Sequence, residues 1–236
     1  MAGRSKKSSK SWKKLVQSAP ETSCSYMGRF FGRMEDQIEQ SAIDGLEHGL
    51  TFCIDKKSGK VLATDPCTGS ECAIRPVQCD VGEELYGDFH VHPTGNTGQS
   101  MADLMYSFRN KQRVGCVGGT IETTYITKEG DFEVPTTLIK CYGFNVDNKD
   151  FTPFYERLKP KLEEANDLSS ALVNKVFRDK KSMSNEEWME YKKVSDAVMD
   201  EVKSSGLYSD NCSMITDAFG ETRRYRVEDA KPPKKK

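Results

Sequence analysis

From Met34 onward the apolar positions fall four apart, at Met34, Ile38, Ala42 and Leu46, with Ile43 beside them. That spacing predicts an amphipathic helix, and Gly45 near its end is a C-terminal signal. The period then drops to two. Glu47–Ile54 reads as a strand, Asp55–Gly59 as a turn and Lys60–Thr64 as the returning strand of a hairpin. Residues 65–82 hold Cys67, Cys72, Cys79 and two prolines; they read as an irregular connection with a short strand near Ala73–Val77. A further strand runs from about Glu84 to His92 and is ended by Pro93. Thr94-Gly95-Asn96-Thr97-Gly98 is turn chemistry. Ser100 then caps a helix to about Lys111, with Leu104, Met105 and Phe108 on one side. Val114–Gly119 reads as a buried strand, and Thr120–Thr127 with Phe132–Phe144 as a second hairpin.

Beyond Asn145 the pattern turns helical. Phe154, Leu158, Leu162 and Ala165 keep near-helical spacing within Phe151–Phe177, where Pro160 is expected to kink the helix. Ser184-Asn-Glu-Glu187 is a capping box. It opens a helix with Trp188, Tyr191, Val194 or Ser195, and Val198 on one face, ending near Gly206. Leu207–Arg226 reads as a strand or ordered coil. The organisation expected is a basic flexible tail over 1–25, a core domain over 26–150, a helical C-terminal extension over 151–226 and a basic tail over 227–236. The order helix, hairpin, strand, helix, strands, helices implies an α+β sandwich with a curved mixed sheet, plus C-terminal helices.

Charge changes this picture little. The 236 residues carry a formal net charge of −1, so no global field draws the chain to nucleic acid. The basic ends leave room only for a weak contact with nucleic acid or an acidic partner. No stretch approaches the roughly 18–20 apolar residues of a membrane span, and no apolar segment follows the basic N-terminus as in a secretory signal. A cytoplasmic, reducing location is the default expectation. Cys53, Cys116 and Cys141 lie in apolar runs and read as small core residues. Cys67, Cys72 and Cys79 are expected as free thiols first, a local disulfide second and a structural zinc site third.

The candidate chemistry sits in one stretch. Gly87-Asp88-Phe89-His90-Val91-His92-Pro93 holds two of the three histidines in the chain. On a strand, residues two apart share a face, so His90 and His92 project together. Across the glycine-rich turn, Ser100 starts a helix that carries Asp103 in its first turn. Two imidazoles and one carboxylate with a vacant fourth position form the ligand set of a catalytic zinc. His48 is the remaining histidine. It is the only imidazole outside the metal motif, which argues against a cysteine protease.

His90-x-His92-Pro93, six residues, Ser100, two residues and Asp103 matches the signature of the JAMM (MPN+) metalloproteases at each fixed position, and residues 34–145 resemble that family. His-Val-His-Pro-Thr-Gly-Asn is more similar to prokaryotic, archaeal and viral members than to the eukaryotic proteasome-lid and signalosome subunits. The resemblance implies an MPN/JAMM fold, which is cytidine-deaminase-like, and one catalytic Zn²⁺ held by His90, His92 and Asp103. It implies hydrolysis of the (iso)peptide bond after the C-terminal glycine of ubiquitin or a ubiquitin-like modifier. The family's general base is a Glu at the start of an early strand, and Glu47-His48-Gly49-Leu50-Thr51-Phe52 resembles that element, which makes Glu47 the base. Glu39 falls on a helix surface, and Glu83 and Glu84 sit too close to the histidines on their own strand. His48, next to Glu47, points the opposite way. Ser100 is a helix cap by position, and the resemblance adds a hydrogen bond to the reacting oxyanion. Other readings keep the zinc centre and change the substrate, to a sulfur-carrier protein, a phage-tail or cell-wall peptide, or a role in DNA metabolism. Another is a non-catalytic MPN scaffold. The resemblance assigns no role to the 65–82 connection, to the C-terminal helices or to Asp88, and oligomeric state is open.

Overall fold

The computed structural model describes residues 27–70, 74–127, 130–216 and 222–225. The basic ends, Cys24, Cys72 and Ala73 lie outside them. Helix α1 (Phe31–Asp44) buries Met34, Gln37, Ile38 and Ser41 and ends on Gly45, whose left-handed φ of +73° lets its N–H reach the Ser41 carbonyl. Strands follow as β1 (His48–Asp55), β2 (Val61–Ala63), β3 (Cys67–Thr68) and β4 (Glu83–Val91). Then come α2 (Met101–Arg109), β5 (Val114–Thr127), β6 (Gly130–Phe144), α3 (Phe151–Val173), α4 (Asn185–Ser204), β7 (Tyr208–Thr216) and β8 (Thr222–Tyr225). The fold is α+β, with one mixed sheet and four α-helices among the described residues. Among those residues no helix is long and apolar enough to cross a membrane.

The sheet order is β2-β1-β4-β5-β6-β7-β8, with β3 paired to β1. Each neighbouring pair is antiparallel except β4 and β5. That one parallel pair decides where the site lies. A parallel link needs a crossover, and here the crossover is the 92–100 loop with α2. One face of the sheet buries Leu50, Phe52, Phe89 and Cys116 with Met34 and Ile38 of α1. The other buries Val117, Tyr142 and Phe144 with Leu104 and Phe108 of α2 and with Phe151, Leu158 and Leu162 of α3.

Several expectations are revised. No strand forms over Ile74–Val77, and the ordered piece of the connection is instead β3, paired to β1 through His48↔Thr68 and Gly49↔Cys67. The hairpin over 114–144 is two uninterrupted long strands. The helix expected over Phe151–Phe177 is α3 to Val173, with Pro160 inside it, and then a π turn at Asn174–Arg178. After α3 and α4 the chain returns to the sheet as β7 and β8, the strand alternative for 207–226. The cysteines also differ. Cys53 is bonded to Cys79 and Cys116 to Cys141, while Cys67 is free. Cys116 and Cys141 are direct cross-strand partners of β5 and β6, so the register itself brings their sulfurs together.

Gly87 carries a testable load. A Cβ at this position would overlap the Val114 backbone carbonyl on the neighbouring strand, and backbone cannot step aside as a flexible side chain does. Gly87→Ala is expected to cost about 1–3 kcal/mol, the usual range for overpacking. Urea unfolding with an unchanged midpoint would refute that close approach.

Candidate metal centre

The register of β1 on β4 builds the floor of the site. Gly49 pairs with His90 and Thr51 with Asp88. Continuing two residues past Gly49↔His90 brings Glu47 level with His92. Side chains of paired residues share a face, so Glu47, Asp88, His90 and His92 all project from one side of the sheet. It is the α2 side, because Val117, the β5 partner of His90, belongs to the α2 core. Glu47 is fixed by its backbone, whose N–H donates to Ser70 O and whose carbonyl accepts from Gly69 N–H.

The helix supplies the third group. Ser100 Oγ accepts from Asp103 N–H at 3.2 Å, and Asp103 Oδ2 accepts from Ser100 N–H at 2.7 Å. This reciprocal cap locks the carboxylate over the strand. Upstream, Gly95 turns the loop back with φ +76°, and its N–H donates to His92 O.

The result is a tight triangle. His90 Nε2 lies 3.1 Å from His92 Nε2 and 3.3 Å from Asp103 Oδ1, and His92 Nε2 lies 3.5 Å from Asp103 Oδ2. Ligands about 2.0–2.1 Å from a tetrahedral zinc stand about 3.3–3.4 Å apart along each edge. The closest approaches among the three side chains are of that length, with Asp103 turning Oδ1 to His90 and Oδ2 to His92, so the donor set suits a zinc ion. They form one of the groups of metal-ligating atoms close enough to share an ion. His92 Nδ1 lies 2.8 Å from the Asn96 carbonyl, which can only accept. Nδ1 therefore carries the proton, and the lone pair on Nε2 faces the triangle. His90 Nδ1 is buried with no hydrogen bond. The Asp88 carboxylate faces it from 3.8 Å.

Electrostatics match this geometry. Burial opposes charging His90, but Asp103, and after it Asp88, outweigh burial and raise the imidazole well above its ordinary value. Burial likewise pushes Asp103 up, yet His90 and His92 hold it well below the usual carboxylate range. Without an ion, these opposed shifts favour an imidazolium–carboxylate pair between His90 and Asp103. Glu47, 6 % exposed, is raised by burial, with the imidazoles of His90 and His92 pulling it down and Asp103 adding to the rise.

A cleft of about 630 Å³ opens over the triangle, with Glu47, Asp88, His90, His92, Ser100 and Asp103 at its base. His48 faces elsewhere, with Nε2 2.8 Å from Asp44 Oδ2. Glu39 is exposed, Glu84 pairs with Arg113 at 3.2 Å, and Glu83 Oε2 accepts from Asp80 N–H. The sequence left Asp88 unassigned, although its position two before His90 on the strand places it on the metal face. Tyr106, one turn past Asp103, also lines the cleft; burial raises its phenol, and the Asp88 charge adds to the rise. Neither a scan against protein-family models nor a search of curated proteins finds a match to this chain.

Proposed function

We propose that the chain is a zinc-dependent metalloprotease of the JAMM/MPN+ type, its α+β sandwich an MPN fold. Its reaction is hydrolysis of the (iso)peptide bond after the C-terminal glycine of ubiquitin or a ubiquitin-like modifier. One observation carries the reading: two imidazole nitrogens and a carboxylate at zinc-ligand spacing, beneath a cleft that also holds a buried glutamate. A zinc ion there supplies a bound water whose pKa falls from 15.7 to about 7, and it polarises a carbonyl.

The chain's own groups supply the rest. Glu47, raised by burial, is suited to take a proton from water near neutral pH and pass it to the leaving amine. Ser100 Oγ accepts from Asp103 N–H, which leaves its own hydrogen to donate to an oxygen in the cleft. His90 and His92 keep their Nε2 atoms inward. Glycine before the scissile bond lets a substrate backbone approach such a centre closely.

The test is zinc stoichiometry with a cleavage screen across Gly-Gly fusions and isopeptide conjugates of ubiquitin and ubiquitin-like proteins. One zinc per chain is expected, with cleavage after Gly-Gly that stops on chelation and returns with zinc. Freshly purified protein with no zinc and no cleavage of any conjugate would overturn the proposal. Zinc with cleavage of other peptides alone would move the same centre to another substrate.

A further inference from the structure

The C-terminal helices have no role in the chemistry so far, yet α3 forms a wall of the cleft. Asn166, Ser169, Ser170, Val173 and Asn174 all line it. Their spacing of i, i+3, i+4, i+7 and i+8 puts them on one helix face. They adjoin the stripe that packs the core, Phe154, Leu158, Leu162 and Ala165, and carry that side of the helix on toward its C-terminal end. Helix α2 mirrors it with Ala102, Met105, Tyr106 and Arg109 at i, i+3, i+4 and i+7.

The two helices cannot close on one another along their whole length. Phe108 at the end of α2 packs edge-on against Phe151 and Phe154 at the start of α3. At 1.5 Å per residue, α3 is about 34 Å long against about 13 Å for α2. The last turns of α3 therefore have no α2 beneath them and stand over the cleft. The π turn at Asn174–Arg178 then brings Arg178 to its rim. Such turns are frequent at functional sites.

Charge is divided along the cleft. Its acids are Glu47, Asp88 and Asp103, all in or beside the metal triangle. Away from the triangle its charged groups are Arg109 and Arg178, both exposed and without an ion pair among the described residues. A substrate carboxylate lying along the cleft meets a guanidinium, which can hold it in a bidentate pair. Among the described residues, a substrate ammonium meets no carboxylate outside the metal centre.

We infer that α2 and α3 form the substrate-reading walls of this cleft. The amides and hydroxyls of Asn166, Ser170 and Asn174 receive peptide backbone, and Arg109 and Arg178 select acidic side chains flanking the scissile bond. The inference rests on the peptidase reading of the metal centre and names the substrate class that centre takes.

Binding separates the two. Zinc-loaded full-length protein carrying Glu47→Gln is titrated, by fluorescence anisotropy, into labelled Gly-Gly peptides that differ only in Glu or Lys at the flanking positions. The Glu peptide is expected to bind about fivefold tighter, the scale for two exposed ion pairs. The preference should vanish in Arg109→Ala/Arg178→Ala at unchanged zinc content and melting temperature, and shift toward the Lys peptide in Arg178→Glu. Equal affinity in the parent, or a preference that survives in the double variant, overturns the inference. If protein with Glu47 intact cleaves no peptide while the binding contrast holds, the isopeptidase reading falls and the acidic-side-chain site stands. If it cleaves Gly-Gly substrates with no charge contrast, the outcome is the reverse.

Discussion

Glu47→Gln is expected to lower kcat/KM on a Gly-Gly isopeptide substrate by about 10²–10⁴, the usual share of a positioned acid–base group. Zinc content should be unchanged. Glutamine keeps the shape and burial of the side chain but cannot accept a proton. Glu47 is outside the triangle of His90, His92 and Asp103, so the ion should not sense the change. Because burial raises the Glu47 carboxyl, the acid limb of the wild-type pH–rate profile should lie above the ordinary carboxylate range and disappear in the variant. Full activity in Glu47→Gln, with the acid limb in place, would remove Glu47 from the chemistry. Stability should move the other way. An acid whose folded pKa is raised favours folding while protonated and loses that contribution as pH rises through the folded pKa. At neutral pH the buried carboxylate therefore costs stability, and the metal-free variant should melt higher, on the order of 2 °C. The gain should fade well below the ordinary value of 4.5, where Glu47 is protonated in both states.

What the sequence made legible follows from what each signal depends on. The site's ligands were readable because each rests on local rules. Strand alternation aligns His90 with His92, and a cap residue with an acid three positions on locates Asp103 in the first turn of α2. The α+β character was readable from the change of period at Glu47 and again at Asn145. The pairing of β1 with β4 was not, because it joins residues some forty apart, and that register is what sets Glu47 level with His92. The disulfides were hidden for the same reason. Cys116 and Cys141 look like core residues along the chain and become neighbours only once β5 and β6 pair. Polar residues on α3 gave no sequence signal either. Asn166, Ser170 and Asn174 look like the solvated side of an amphipathic helix until α3 is seen to outrun α2. Asp88 lay between these cases: its alternation with His90 was visible, but the charge facing the Nδ1 edge emerged only from the fold.

Asp103→Asn should all but abolish zinc binding while leaving the helix capped. The amide oxygen of Asn can still accept the Ser100 N–H that Asp103 Oδ2 accepts at 2.7 Å, but the anionic ligand is gone. The affinity loss should exceed the 10–100-fold that removal of a mere supporting partner costs. Zinc at a thousand times its Kd stabilises a folded protein by about 4.1 kcal/mol, or about 8–16 °C in a chain of this size. Wild type should show that rise, and the Asn variant almost none at the same zinc concentration. Equal rises in both would place the metal elsewhere. The pH dependence gives a second readout. Asp103 is held low and His90 high, so zinc must displace a proton from the centre. Zinc affinity in wild type should therefore fall with decreasing pH, with protons released on binding, as titration in buffers of different ionisation enthalpy would register. Without zinc, the Asp103 contribution to stability is lost as pH falls through its depressed pKa. The His90 contribution, fully present below the ordinary 6.5, is lost as pH rises through its elevated one. Between those limits the pair is intact, and there metal-free Asp103→Asn should be less stable than wild type. The gap should close as rising pH discharges His90, because a neutral imidazole no longer needs the carboxylate that the variant lacks.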